Sequence, residues 1–151
     1  MLKVKIGYPT KEEELSIIDR MTAGNEISVG RVADMGEIFA CRELVDRVYA
    51  DEKVKRYIVD LVFATREPDK YGLDIKDLIE FGASPRASIY LTLAAKAEAM
   101  MNGRGFVIPD DVKEMAPDVL RHRLTLTYEA EADDITTDEV IGRVLSKVPT
   151  P

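Results

Sequence analysis

Arg86 is the residue of this chain whose placement most clearly calls for a chemical partner. It lies in Gly82-Ala83-Ser84-Pro85-Arg86-Ala87-Ser88, where Ser84 suits a helix N-cap and Pro85 the first helical position. Apolar residues then recur at helical spacing, Ile89, Tyr90, Leu93, Ala97, Met100 and Met101, until Asn102-Gly103 offers a stop. Arg86 therefore falls in the first turn, beside unpaired N–H groups and the positive end of the macrodipole, where a cation typically costs ~0.3–1 kcal/mol. At about 100° per residue it stands in the middle of the arc of Ile89, Tyr90, Leu93, Ala97 and Met100. It is thus expected to face a partner surface, with its guanidinium leaning back over the helix start. A bound phosphate, which the helix N-terminus also attracts, would resolve the conflict. The alternative is an arginine whose stem covers the core edge while its head pairs with a nearby carboxylate.

Other chemistry is sparse. No Gly-Lys pair occurs, so the chain has no loop of the kind that wraps nucleotide phosphates. Val48-Tyr49-Ala50-Asp51-Glu52 has the look of an apolar strand followed by a magnesium-holding acidic pair, but the apolar run is short and Asp51 suits a helix cap. Arg121-His122-Arg123 reads as solvated surface, with phosphate or subunit contact as the alternative. Glu129, Glu131, Asp133 and Asp134 read as a solvated loop without metal-loop spacing. One cysteine, Cys41, and one histidine, His122, argue against thiolate or imidazole metal sites.

At 151 residues the chain fits one domain that can fold without disulfides. The net charge of −7 opposes general binding of nucleic acid or anionic membrane. No apolar run approaches the ~20 residues that span a bilayer and no signal-peptide pattern opens the sequence, so a cytoplasmic address is expected.

Several elements must position these residues. Leu2, Val4 and Ile6 alternate with Lys3 and Lys5, predicting a short strand that ends at Gly7-Tyr8-Pro9 and lacks an evident neighbour. Thr10 with Glu13, Asp34 with Glu37, and Thr136 with Glu139 form capping boxes for three helices. The first carries Leu15, Ile17, Ile18 and Met21; the second Ile38, Cys41, Leu44 and Val45, with Cys41 expected in the core; the last Val140, Ile141, Val144 and Leu145. Glu26 to Val32 reads as a loop with a short extended piece. Asp51 caps a helix with the stripe Val54, Tyr57, Ile58, Leu61 and Val62. Leu73, Ile75, Leu78, Ile79 and Phe81 are ambiguous. Pro109 opens a short helix to about Met115, Pro117 a separate turn, and Leu124-Thr125-Leu126-Thr127 a strand. The class expected is mainly α, a helical bundle with a few short strands.

The run Gly82-Ala83-Ser84-Pro85-Arg86-Ala87 resembles the MoxR family of AAA+ ATPases, specifically the helical lid that follows the ATPase core. The likeness continues through Gly103-Arg104, Val107, Pro109-Asp110-Asp111-Val112 and Ala116-Pro117-Asp118-Val119-Leu120-Arg121-His122-Arg123-Leu124 to Tyr128-Glu129-Ala130-Glu131. Tyr57-Ile58-Val59 with Ala64-Thr65-Arg66, and Gly7-Tyr8-Pro9 with Glu12-Glu13-Glu14, extend it over nearly the whole chain. The resemblance implies an AAA+ lid at residues 10–151, with residues 1–9 the remnant of the core's last strand and hinge. It makes Arg86 the sensor-2 residue, reaching the terminal phosphates of ATP, and Tyr8, Pro9 and Ile17 the candidates to line the adenine side. ATP and Mg²⁺ would be held mainly by the core, with none expected on the isolated fragment. The implied partners are that core, neighbouring subunits in a homo-oligomeric ring and, at family level, proteins with von Willebrand A domains; nucleic acid and membrane insertion are not expected. The implied work is chaperone-like remodelling or metal-insertion assembly. Ile108 departs from the Ser or Thr expected before Pro109 and should weaken that cap by about 0.5–2 kcal/mol. The competing reading is a stand-alone helical interaction domain with Arg86 anchoring an acidic partner; a winged-helix-like binder over Pro109 to Thr127 suffers from the negative charge.

Overall fold

In a computed structural model that describes residues 1–24 and 28–151, the chain runs α1 (Lys11–Thr22), α2 (Met35–Arg47), α3 (Glu52–Ala64), β1 (Ile79–Phe81), α4 (Pro85–Met101), α5 (Pro109–Leu120), β2 (Thr125–Leu126), α6 (Tyr128–Ala132) and α7 (Thr137–Lys147). Short 3-10 turns at Pro68–Tyr71 and Lys76–Leu78 fill the link between α3 and β1. The chain is thus mainly α-helical, as its capping and spacing pattern predicts. Part of the expected loop at Glu26 to Val32 lies outside the described residues.

The core is built by α3, α4, α5 and α7. The α3 stripe of Val54, Tyr57, Ile58, Leu61 and Val62 is buried as the 3.6-residue spacing requires. On α4 the core face is Ala87, Leu91, Ala94, Ala95 and Ala99, not the arc of larger residues expected from the sequence. The small side chains allow α4 to lie close against α5, whose Val112, Ala116, Val119 and Leu120 are fully buried. The arc containing Arg86 is turned outward, leaving Ile89 and Leu93 exposed, with Tyr90 and Met100 packed only at the core's edge.

Burial also explains why α5 is one helix. Pro117 lacks the N–H that would bond the carbonyl four residues back, a defect worth about 3 kcal/mol in an isolated helix. The buried residues on both sides of Pro117 hold the two expected pieces in line. At the helix start Ile108 cannot cap through its side chain, but Asp111 accepts its N–H at 2.9 Å. Arg104 in turn grips both oxygens of Asp111, which is 3% exposed. Half of a capping box is therefore kept.

Other expectations are corrected. Leu2, Val4 and Ile6 form no strand and are exposed. Their alternation has no strand to pair with among the described residues, and Lys3 N–H donates instead to the Asp118 carbonyl at 2.8 Å. The expected strand at Leu124–Thr127 shortens to β2, antiparallel to β1 with Ile79 opposite Leu126 and Phe81 opposite Thr125. Of the acidic residues expected in a loop, Glu129 and Glu131 lie in α6, capped by the Thr127 side chain, while Asp133 and Asp134 follow it in a turn. Cys41 is exposed and not in the core. It sits on α2, which like α1 buries none of its own residues, so Leu15, Ile17, Ile18 and Met21 of α1 and Ile38, Phe39 and Leu44 of α2 stay open. No helix among the described residues is long and apolar enough to cross a membrane.

Candidate functional site: the mouth of helix α4

The start of α4 is held from behind by the end of α3. The buried Thr65 hydroxyl donates to the Val62 carbonyl at 2.7 Å and accepts the Ala83 N–H at 3.0 Å. Arg66 Nε donates to the Ala83 carbonyl, while its guanidinium lies 5.1 Å from the Phe63 ring centroid. Both backbone groups of Ala83 are thereby fixed two residues before the helix. Gly82 makes the approach possible: a Cβ there would sit 2.5 Å from the Thr65 carbonyl oxygen and 2.8 Å from Arg66 Cγ. Gly82→Ala should therefore destabilise the domain by about 1–3 kcal/mol through forced backbone movement, read as a lower urea midpoint with an unchanged slope.

Against this rigid support the mouth itself is open. Ser84 occupies the N-cap position, but its side chain makes no capping bond, and no acidic residue lies in the first turn of α4. Arg86 is exposed and, among the described residues, forms neither a hydrogen bond nor an ion pair. Among the described residues it has no carboxylate partner of the kind that would make it an ordinary structural arginine. First-turn N–H groups and a free guanidinium together fit an anion. They do not fit a metal: no group of three His, Cys, Asp or Glu side chains among the described residues could hold one.

Tyr8, Pro9 and Ile17 come together, with Gly7, Glu13 and Ser16, around an open hollow of 610 Å³. The Glu13 carboxylate on its edge is committed to the Thr10 N–H at 2.7 Å and the Thr10 hydroxyl at 2.9 Å. Those bonds hold Glu13 below the usual carboxylate range. Arg86 is not among the residues lining this hollow, so the four residues singled out from the sequence fall into two places.

Of Arg121-His122-Arg123 only His122 is exposed as a solvated cluster would be, and the two arginines are half-buried. Arg121 is only 12% exposed at its side chain and is paired with Asp118 and Asp138. Arg123 stacks 4.9 Å from the ring centroid of Tyr90, one turn along α4 from Arg86. Partial desolvation, with the positive charges of Arg123, the N-terminus, Lys3 and Arg121, pushes His122 below its ordinary value. The i,i+3 spacing of Asp118 and Arg121 on α5 was the local sign of this pairing.

Residues 73–144 of this mainly helical chain match the AAA lid domain family. Over its full length the chain is 43% identical to the chaperone MoxR1 of Mycobacterium tuberculosis and 35% identical to the uncharacterized protein YeaC of Bacillus subtilis. It superimposes along its whole length, with a TM-score of 0.93 and 40% identity, on a crystal structure from Cytophaga hutchinsonii of a protein provisionally described as an ATPase. Over its whole length the chain is thus homologous to MoxR chaperones, and it matches the helical lid portion of a MoxR-family AAA+ ATPase. It spans 40% and 45% of the two curated relatives and 46% of the solved chain, less than half of each.

Proposed function

We propose that this domain reports the nucleotide state of an AAA+ ATPase core, with Arg86 as the sensor-2 residue. The carrying observation is that Arg86 stands exposed, without a partner among the described residues, at a helix mouth that no side chain caps and that Thr65, Arg66 and Gly82 hold in place. In this reading Arg86 donates charge-assisted hydrogen bonds to the terminal phosphate and so holds the lid closed while ATP is intact. ATP, bound with Mg²⁺ mainly by the core, supplies the phosphate whose release on hydrolysis ends that contact. Tyr8, Pro9 and Ile17 line the adenine side, with residues 1–9 as core strand remnant and hinge and residues 10–151 as the lid.

The outward apolar arc of α4 and the open faces of α1 and α2 support a partner that covers them, and we assign it as the core and neighbouring subunits of a homo-oligomeric ring in the cytoplasm. The relative called a chaperone supports remodelling of client proteins as the work of the assembly; metal-insertion assembly with von Willebrand A domain partners is the narrower form of that reading. Substitution of Arg86 in the longer protein, read as ATP turnover, tests the sensor role directly. A second expectation concerns the isolated chain. One arginine and a helix start cannot enclose a triphosphate, so titration calorimetry should find ATP binding in the millimolar range or none. Tight, magnesium-dependent binding would overturn the assignment of the nucleotide to the core.

A further inference from the structure

Residues 1–6 precede the first helix, expose their apolar side chains and yet are tied to the far end of the chain. Lys3 N–H donates to the Asp118 carbonyl at 2.8 Å, and the Lys3 carbonyl accepts from Arg121 Nη1 at 2.6 Å. Both backbone groups of one residue are thus captured at the C-terminal end of α5. Arg121 Nη1 also donates to the Asp118 carboxylate, and its Nε donates to Asp138 Oδ1 at 3.0 Å. Lys5 Nζ approaches the other oxygen of Asp138 at 3.4 Å. One carboxylate therefore takes a cation from each of the two segments.

The arrangement is favourable before the N-terminal segment arrives. Arg121 is the C-cap residue of α5 and Asp138 lies in the first turn of α7, so each charge complements the dipole of its own helix. Five N–H donors in a planar fork allow Arg121 to bond two carboxylates and still offer a hydrogen to a carbonyl. That third bond joins the α5/α7 corner to the segment leading into Gly7-Tyr8-Pro9.

We infer that Arg121 is a positioning residue that latches residues 1–6 to the α5/α7 corner and thereby sets how the lid is oriented on whatever domain this segment joins. The consequence for ATP turnover rests on the sensor-2 reading above; the latch itself does not.

The latch is tested in the 151-residue chain with nitroxides at Ile6→Cys and Ser146→Cys, both exposed sites, in a Cys41→Ser background. A narrow distance distribution is expected. Lys3→Pro, which removes the N–H donor without altering any lid side chain, and Arg121→Gln should each broaden it at least twofold, with Arg121→Lys falling between. Amide exchange in α3 and α4 should stay within twofold for Lys3→Pro, which separates release of the latch from loss of fold. A broad distribution in the parent, or an unchanged one in both variants, overturns the proposal. In the longer ATPase Arg121→Gln should lower kcat several-fold with KM for ATP little changed, and Arg121→Lys should restore part of it. Unchanged kcat overturns the positioning role. Unchanged turnover in an Arg86 variant would overturn the sensor reading alone and leave the spin-label result standing.

Discussion

Replacing Arg86 with alanine in the longer MoxR-type protein should lower ATP turnover by about a hundredfold or more while leaving the lid as stable as before. An arginine on the charge of a transferring phosphoryl group contributes up to 10³–10⁵ in rate in the best cases, so a loss of that order is the expected scale. The stability expectation follows from the same geometry. Arg86 is exposed and has no partner among the described residues, so its removal breaks no bond to any of them. It also takes a cation away from the positive end of a helix, a change worth about 0.3–1 kcal/mol in favour of the folded state. Lost turnover with an unchanged or slightly raised melting temperature is therefore the signature of a residue that acts outside its own domain. Arg86→Lys keeps the charge without the planar fork and should recover only part of the rate. Steady-state phosphate release paired with a thermal melt measures both sides, and unchanged turnover in Arg86→Ala discards the sensor role.

The features legible in the sequence are those whose physics is local. The three capping boxes are made within four residues of chain, and all three form as read. The α3 stripe is legible because its large apolar residues lie on one side only. On α4 both sides are apolar, and side-chain size points to the wrong one: the alanines pack against α5 while Ile89 and Leu93 face out. Arg86 was visible through its conflict with the helix dipole, which needs no knowledge of other elements. Arg121 shows only its Asp118 pairing locally, because its other two partners lie 17 and 118 residues away. The same distance hides the clasp on Ala83, whose donors and acceptors at Thr65 and Arg66 are 18 and 17 residues back. Cys41 and the open face of α2 were misplaced for a different reason. Helical spacing identifies an apolar face but does not say whether its cover belongs to the same domain.

The largest loss of stability should come from Asp111→Ala. Asp111 lies under the start of α5, receives the Ile108 N–H at 2.9 Å and holds both arms of the Arg104 fork. Removing it strands the Arg104 charge and an N–H at the helix mouth together. Breaking a buried pair from one side costs about 3–5 kcal/mol, and since the Arg104 side chain remains 25% exposed, the lower end of that range applies. For a domain of this size about 3 kcal/mol corresponds to a fall in melting temperature of roughly 6–12 °C. The pH dependence has a definite sign. Burial pushes the Asp111 carboxyl up, but hydrogen bonds from Arg104 and the Ile108 N–H, with the charge of Arg104, outweigh it and hold the folded-state value below 3.8. A depressed carboxylate contributes stability that is complete above its unfolded value and is lost as pH falls through the folded one. The native domain should accordingly weaken as pH falls below the ordinary carboxylate range, because the unfolded chain takes up the Asp111 proton before the folded one does. Asp111→Ala should be the less stable protein at neutral pH and show a shallower acid limb, because the group that links its stability to pH is gone. Urea melts at pH 7 and across the range below pH 4 measure both effects; parallel acid limbs in the two proteins would show that the Arg104 pair does not carry the linkage.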